Sequence, residues 1–138
     1  MNFESKTVLY FECDQRGRNT RFDGFKNSKK GYERPFLILS NKEYNEKSNN
    51  DGVYAIPLTN KGKGNNFSYT ISDDTFENID YNLKTNFKDS IILCDKICRL
   101  SRSDLSKFKS RKIVLRTNEF YQIRNKINSF INVTFTAY

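Results

Sequence analysis

The apolar residues of this chain come in short runs, each about the length of one strand, and only beyond Thr117 does their spacing become helical. Thr7-Val-Leu-Tyr-Phe-Glu-Cys13 is dense in β-formers. Pro35-Phe-Leu-Ile-Leu-Ser40 reads as a second strand, with Pro35 expected at its start because a central strand cannot spare an amide donor. Val53-Tyr-Ala-Ile-Pro-Leu-Thr59 is a third, and Pro57 predicts an edge position or a bulge. Phe67-Ser-Tyr-Thr-Ile71 alternates as a fourth, and Ser90-Ile-Ile-Leu-Cys94, continuing toward Cys98, is a fifth. Ser101, with Asp104 three residues on, is set to cap a turn of helix, and Lys112 to Leu115 reads as a short strand. Thr117 is expected to cap a closing helix whose Phe120, Ile123, Ile127, Phe130 and Ile131 form an apolar stripe at helical spacing. Short strands with one closing helix predict a mainly β fold, a small curled antiparallel sheet or barrel with a C-terminal helix. No repeat or linker divides the chain, so residues 1–138 are expected to form one domain.

Lysine and arginine total 24 against 16 acids, and the resulting charge of +8 favours a polyanionic partner, nucleic acid before a membrane surface. The cations concentrate in Asp14 to Glu33, a long loop marked by Gly17, Gly24 and Gly31, where Arg16, Arg18, Arg21 and Lys26 are candidate phosphate contacts. Lys61 and Lys63, in the loop from Asn60 to Asn66, and Lys96 extend that set. Twelve Phe and eight Tyr supply core bulk and also flat faces on which bases could stack. No apolar run approaches the roughly 20 residues of a spanning helix, and Met1 to Lys6 lacks an apolar signal core. A cytoplasmic protein with no membrane partner is expected.

The chain contains no histidine, which excludes imidazole acid–base chemistry and a Ser-His-Asp triad. Its three cysteines, Cys13, Cys94 and Cys98, are too few for a four-thiolate zinc site. They read as reduced small hydrophobes, Cys94 and Cys98 on one face of a strand, and no metal or cofactor is expected. Reactive groups gather instead at strand ends. Glu33-Arg34-Pro35 sets a guanidinium before a rigid proline, a geometry suited to a phosphate. Leu58-Thr59-Asn60 ends a strand on a hydroxyl, and Cys94-Asp95-Lys96 sets a carboxylate beside an ammonium. Each has a plain alternative: a strand start, a turn former, a surface ion pair.

Taken in order, these segments resemble the MazF/PemK family of toxin–antitoxin ribonucleases. Arg34-Pro-Phe-Leu-Ile-Leu-Ser-Asn41 is similar to the family's RPVLVxSN segment, and Ile56-Pro-Leu-Thr-Asn60 to its (V/I)PLT(S/N) strand. Leu83-Lys84 followed by Ser90-Ile-Ile-Leu-Cys-Asp-Lys-Ile-Cys-Arg-Leu100 resembles LK…S(V/I)(I/V)LCDQ(I/V)RTL, with Ser103-Asp-Leu-Ser after it. The resemblance implies an SH3-like barrel with a C-terminal helix, working as a homodimer. It implies metal-independent, sequence-specific cleavage of single-stranded RNA to a 2′,3′-cyclic phosphate and a 5′-hydroxyl. A cognate antitoxin that wraps the dimer and fills the RNA groove is implied as well.

Carried over by position, Arg34 matches the family's catalytic arginine, stabilising charge at the phosphate and open to a proton-donor role. Thr59 matches the catalytic threonine, positioning the phosphate or the 2′-hydroxyl. Asp95 matches an aspartate that some members use as base, although those members carry an arginine where this chain has Leu93. Members often carry a shorter loop, of which Gly31-Tyr-Glu-Arg34 keeps part, and some use a histidine there. A non-catalytic nucleic-acid-binding module, or a decoy for the antitoxin, is the alternative on the same barrel. A DNA-directed gyrase poison fits the Arg-Pro and Pro-Leu-Thr segments less well.

Overall fold

The computed structural model describes residues 4–12, 33–47, 51–59, 64–72, 74–78, 90–105 and 108–137. Cys13 and the basic loop residues Arg16, Arg18, Arg21, Lys26, Lys61 and Lys63 lie outside the described residues, as do Leu83 and Lys84. Eight strands are β1 (Thr7–Glu12), β2 (Glu33–Ile38), β3 (Gly52–Thr59), β4 (Ser68–Thr70), β5 (Phe76–Asn78), β6 (Ile91–Leu93), β7 (Cys98–Ser101) and β8 (Phe108–Leu115). Among the described residues the helices are α1 (Lys42–Glu46), α2 (Arg102–Leu105) and α3 (Thr117–Thr134). The strands form one antiparallel sheet in the order β4-β6-β3-β2-β1-β8-β5, with β7 also pairing β3. The sheet curls into a half-barrel closed on one side by the C-terminal helix, the mainly β architecture that the sequence predicts.

Strands β2 and β3 run through the middle and bury both faces, which is why their sequences are nearly continuous apolar runs rather than alternations. Successive side chains point to opposite faces of a strand. On one face Leu37, Ile56 and Leu58 join Val8, Ile92, Ile113, Leu115 and, from α3, Ile123 and Ile127. On the other, Phe36, Ile38, Val53 and Ala55 meet Leu100 and Leu105. Phe120 packs against the first cluster, and Phe130 is half-buried, so most of the predicted stripe faces inward. Ile131, expected in that stripe, is 41% exposed instead.

Several local expectations change. Pro35 is not at a strand start: β2 begins two residues earlier at Glu33, and Pro35 pairs with Tyr10. Pairing with β3 is recorded only from Phe36 onward, and an antiparallel residue directs its amide to one neighbour alone, so the proline needs only one open side. Pro57 is on neither an edge nor a bulge. It pairs Phe36 in β2, and on its other side β7 stops at Ala55 while β6 starts at Leu58. The missing amide falls in that handover.

The run from Ser90 through Cys98 is not one strand either. A turn around Cys94–Asp95, with the Lys96 amide donating to the Leu93 carbonyl at 3.0 Å, separates β6 from β7. Cys94 therefore joins the first core cluster while Cys98 packs on the second. The Cys98 thiol donates to the Ala55 carbonyl at 3.3 Å, and the Cys94 thiol to the Ile92 carbonyl at 3.8 Å. The Lys112–Leu115 strand extends back to Phe108, since β1 pairs its charged half too. Thr117 is the first helical residue, not the cap: Arg116 holds that position without a side-chain cap bond, and Thr117 Oγ1 accepts from Lys6 Nζ at 3.1 Å. Among the described residues no helix is long and apolar enough to cross a membrane.

Candidate active site

Thr59 is the last residue of β3, half-buried, and its backbone pairs with Ile91 of β6. Arg34 is the second residue of β2, paired through its backbone with Phe11 of β1. Since β2 and β3 are antiparallel neighbours, the beginning of one and the end of the other lie at the same margin of the sheet. The recorded register runs Phe36↔Pro57, Leu37↔Ile56, Ile38↔Ala55. The recorded pairs stop there, and Arg34 and Thr59 lie two residues beyond the last of them, at the margin where β2 begins and β3 ends. The strands that bear them are neighbours because β3 follows α1 in the chain and runs antiparallel to β2.

Asp95 is placed differently. It lies in the turn that follows β6, at the end remote from Ile91, the partner of Thr59. Its Oδ2 accepts a hydrogen bond from Asn65 Nδ2 at 3.2 Å, while Oδ1 is buried and has no partner among the described residues. Lys96, next in the chain, is exposed. So Arg34 and Thr59 lie at one margin of the β2–β3 pair, while Asp95 and Lys96 follow the end of β6 remote from Thr59's partner.

Asn65 is the polar residue here to which the sequence gives no part. Its Oδ1 accepts from the Phe67 amide at 2.8 Å and from Ser68 Oγ at 3.3 Å, its own amide donates to Ser68 Oγ at 3.0 Å, and its carbonyl accepts from the Ser68 amide at 3.1 Å. The signal that could have found it is local: asparagine ahead of Phe-Ser is a residue that hydrogen-bonds backbone two positions on. Phe67, just after it, packs edge-on against Phe130 of α3 with centroids 5.3 Å apart.

Cys94 lies beneath this turn, fully buried, and burial pushes its thiol from 9.0 up to about 12, with Lys126 of α3 pulling the other way and Asp95 adding to the rise. A thiol held neutral in this way is a packing group and not a nucleophile at neutral pH. Among the described residues no three of His, Cys, Asp or Glu gather where they could hold a metal ion.

A curled antiparallel sheet backed by a C-terminal helix, with arginine and threonine at neighbouring strand ends, defines the class of small β-barrel domains to which toxins of the MazF kind belong. Residues 19–131 match the family described as PemK-like, MazF-like toxin of type II toxin-antitoxin system, and the chain belongs to that family. No curated protein sequence matches it at a significant level. Among solved structures it is similar to MazF of Deinococcus radiodurans, with a TM-score of 0.63 and 17% identity over 96% of this chain and 98% of that one. A MazE–MazF structure from the same organism gives 0.62 and 20% identity over 96% and 98%. An endoribonuclease in complex with its cognate antitoxin from mycobacterial species gives 0.59 and 14% identity over 97% and 99%. At such identities the likeness establishes the fold.

Proposed function

We propose that the protein is the toxin of a type II toxin–antitoxin pair, a metal-independent, sequence-specific endoribonuclease that cuts single-stranded RNA to a 2′,3′-cyclic phosphate and a 5′-hydroxyl. The observation that supports this is the antiparallel β2–β3 pairing, which puts the strand end bearing Arg34 and the strand end bearing Thr59 at one margin of the sheet in a chain of the PemK-like, MazF-like family. In the reaction the 2′-hydroxyl gives up its proton to solvent as its oxygen attacks the adjacent phosphorus, the bond from phosphorus to the 5′-oxygen breaks, that oxygen takes up a proton from solvent to leave as a hydroxyl, and charge builds on the non-bridging oxygens. Arg34 keeps its charge at any working pH and matches two of those oxygens with a planar fork, while the Thr59 hydroxyl donates to a third acceptor or orients the 2′-hydroxyl. Donors aimed at developing charge are worth about 10²–10³ in kcat each.

The net charge of +8 supplies sequence-independent attraction to the RNA backbone, with Arg16, Arg18, Arg21, Lys26, Lys61, Lys63 and Lys96 as the phosphate contacts. A homodimer and a cognate antitoxin complete the reading; structural neighbours include MazE–MazF and toxin–antitoxin complexes. Incubating the purified protein with a long single-stranded RNA in EDTA tests it. Discrete fragments ending in cyclic phosphate are expected from the wild type, with rates at least about 100-fold lower for Arg34→Ala and Thr59→Ala. Equal cleavage by wild type and Arg34→Ala would remove Arg34 from the site, and salt-sensitive binding without cleavage would instead support the non-catalytic binding module.

A further inference from the structure

Asp95 has the family's position for a base, but one of its oxygens is buried and the other already accepts a hydrogen bond. A general base must present an oxygen within about 2.6–3.2 Å of the proton it takes. Of its two oxygens, Oδ1 is closed to solvent and Oδ2 is engaged by Asn65. Asn65 in turn commits its amide, carbonyl and both side-chain polar atoms to Asp95, Phe67 and Ser68. The bond between the two residues therefore joins the turn leading into β4 to the turn leaving β6.

What lies between those turns leads to the site. The Cys94 amide donates to the Phe67 carbonyl at 3.2 Å, and pairing continues Leu93↔Ser68, Ile92↔Tyr69, Ile91↔Thr70. Ile91 is also the partner of Thr59, and β6 meets β3 through only Leu58↔Ile92 and Thr59↔Ile91. Each of β4 and β6 is three residues long, and β4 ends the sheet order. Strands that short are drawn from the low-stability end of a fold unless something fixes their ends.

We infer that Asp95 is a positioning residue, which with Asn65 clamps β4 to β6 and so holds Ile91 against Thr59, and that it is not the base of the reaction. This rests on the ribonuclease reading above. Four proteins test it: Asp95→Asn, Asp95→Ala, Asn65→Ala and the double alanine variant, assayed for RNA cleavage below the temperature at which circular dichroism shows any unfolding. Asp95→Asn keeps an acceptor for Asn65 and is expected to cleave within threefold of wild type with an unchanged pH profile. Each alanine variant is expected to lose about tenfold in kcat with KM preserved, and the double variant no more than either.

A loss in Asp95→Asn as deep as in Asp95→Ala, or disappearance of the acidic limb of the profile, would make Asp95 the base and overturn the inference. So would unchanged kcat in the alanine variants, which would leave the contact purely structural. If the wild type cuts no RNA, the ribonuclease reading fails on its own. The clamp is then decided by urea unfolding of the same four proteins: non-additive loss of stability supports it, and additive loss overturns it.

Discussion

Gly52 shows how one residue can fix a junction. Its φ of +148° is a backbone conformation that L side chains rarely adopt, and an added Cβ would collide with the Leu100 carbonyl oxygen across the β3–β7 pairing. Both penalties act together, so Gly52→Ala is expected to lower stability by at least ~1–3 kcal/mol from the backbone alone, with more from displacement of β7. Chemical denaturation gives the value, and a change below half a kilocalorie would refute it. Cys94 gives a second residue-scale expectation. Its folded thiol holds its proton to about 12, whereas the unfolded thiol titrates near 9.0. Above the lower value the unfolded chain binds fewer protons than the folded one, so stability falls as pH rises through that window and is untouched below it. Tyrosine and lysine titrate there too, so the comparison is with Cys94→Val. The wild type should lose stability more steeply than the variant between pH 9 and 11, and parallel slopes would count against burial as the cause.

At the scale of elements, local chemistry and tertiary packing divide the work unevenly. Helix α1 is five residues long and buries none of them, so it depends on its cap: Asn41 Oδ1 accepts from the Tyr44 amide at 2.9 Å. Isolated helices of that length do not persist. Asn41→Ala is therefore expected to cost ~1 kcal/mol, with faster hydrogen exchange at Tyr44 and little change in β2 or β3; unaltered exchange would show that the cap is idle. The preceding residue ties this turn to the sheet, since Ser40 Oγ accepts from the Tyr54 amide at 2.9 Å and Asn45 Nδ2 donates to the Ser40 carbonyl at 2.9 Å. Helix α3 works the opposite way. It lacks a side-chain cap, yet it is anchored by Ile123 and Ile127 in the main core, and Arg116 Nε donates to the Asp74 carbonyl at 2.7 Å. Burial of an apolar stripe outweighs a cap worth about 1 kcal/mol.

For the molecule as a whole, the excess of cations sets how it meets a polyanion. Counterion release makes affinity for single-stranded RNA fall with salt by about 0.7 in log–log slope per phosphate contacted. If Arg16, Arg18 and Arg21 contribute contacts, replacing all three by glutamine should reduce the slope by about 2 while leaving the unfolding midpoint in place. An unchanged slope would remove that loop from the interface.

The sequence by itself determined the composition-level and local properties: a β-rich chain with a closing amphipathic helix, no imidazole chemistry, and Arg34 and Thr59 at strand ends. Those follow from nearest neighbours and periodicity, which need no knowledge of the rest of the fold. The polar or very short elements were not legible. Helix α1 and β5 carry too few apolar residues to announce themselves, and the charged half of β8 is a strand only because β1 pairs it. Only the tertiary structure decided what the prolines and Asp95 do. Pro57 is harmless because two partner strands change over beside it, and Asp95 meets Asn65 because β4 and β6 align side by side. Both depend on which distant segments share a ladder, and pairing register is a property of the assembled sheet that no local pattern contains.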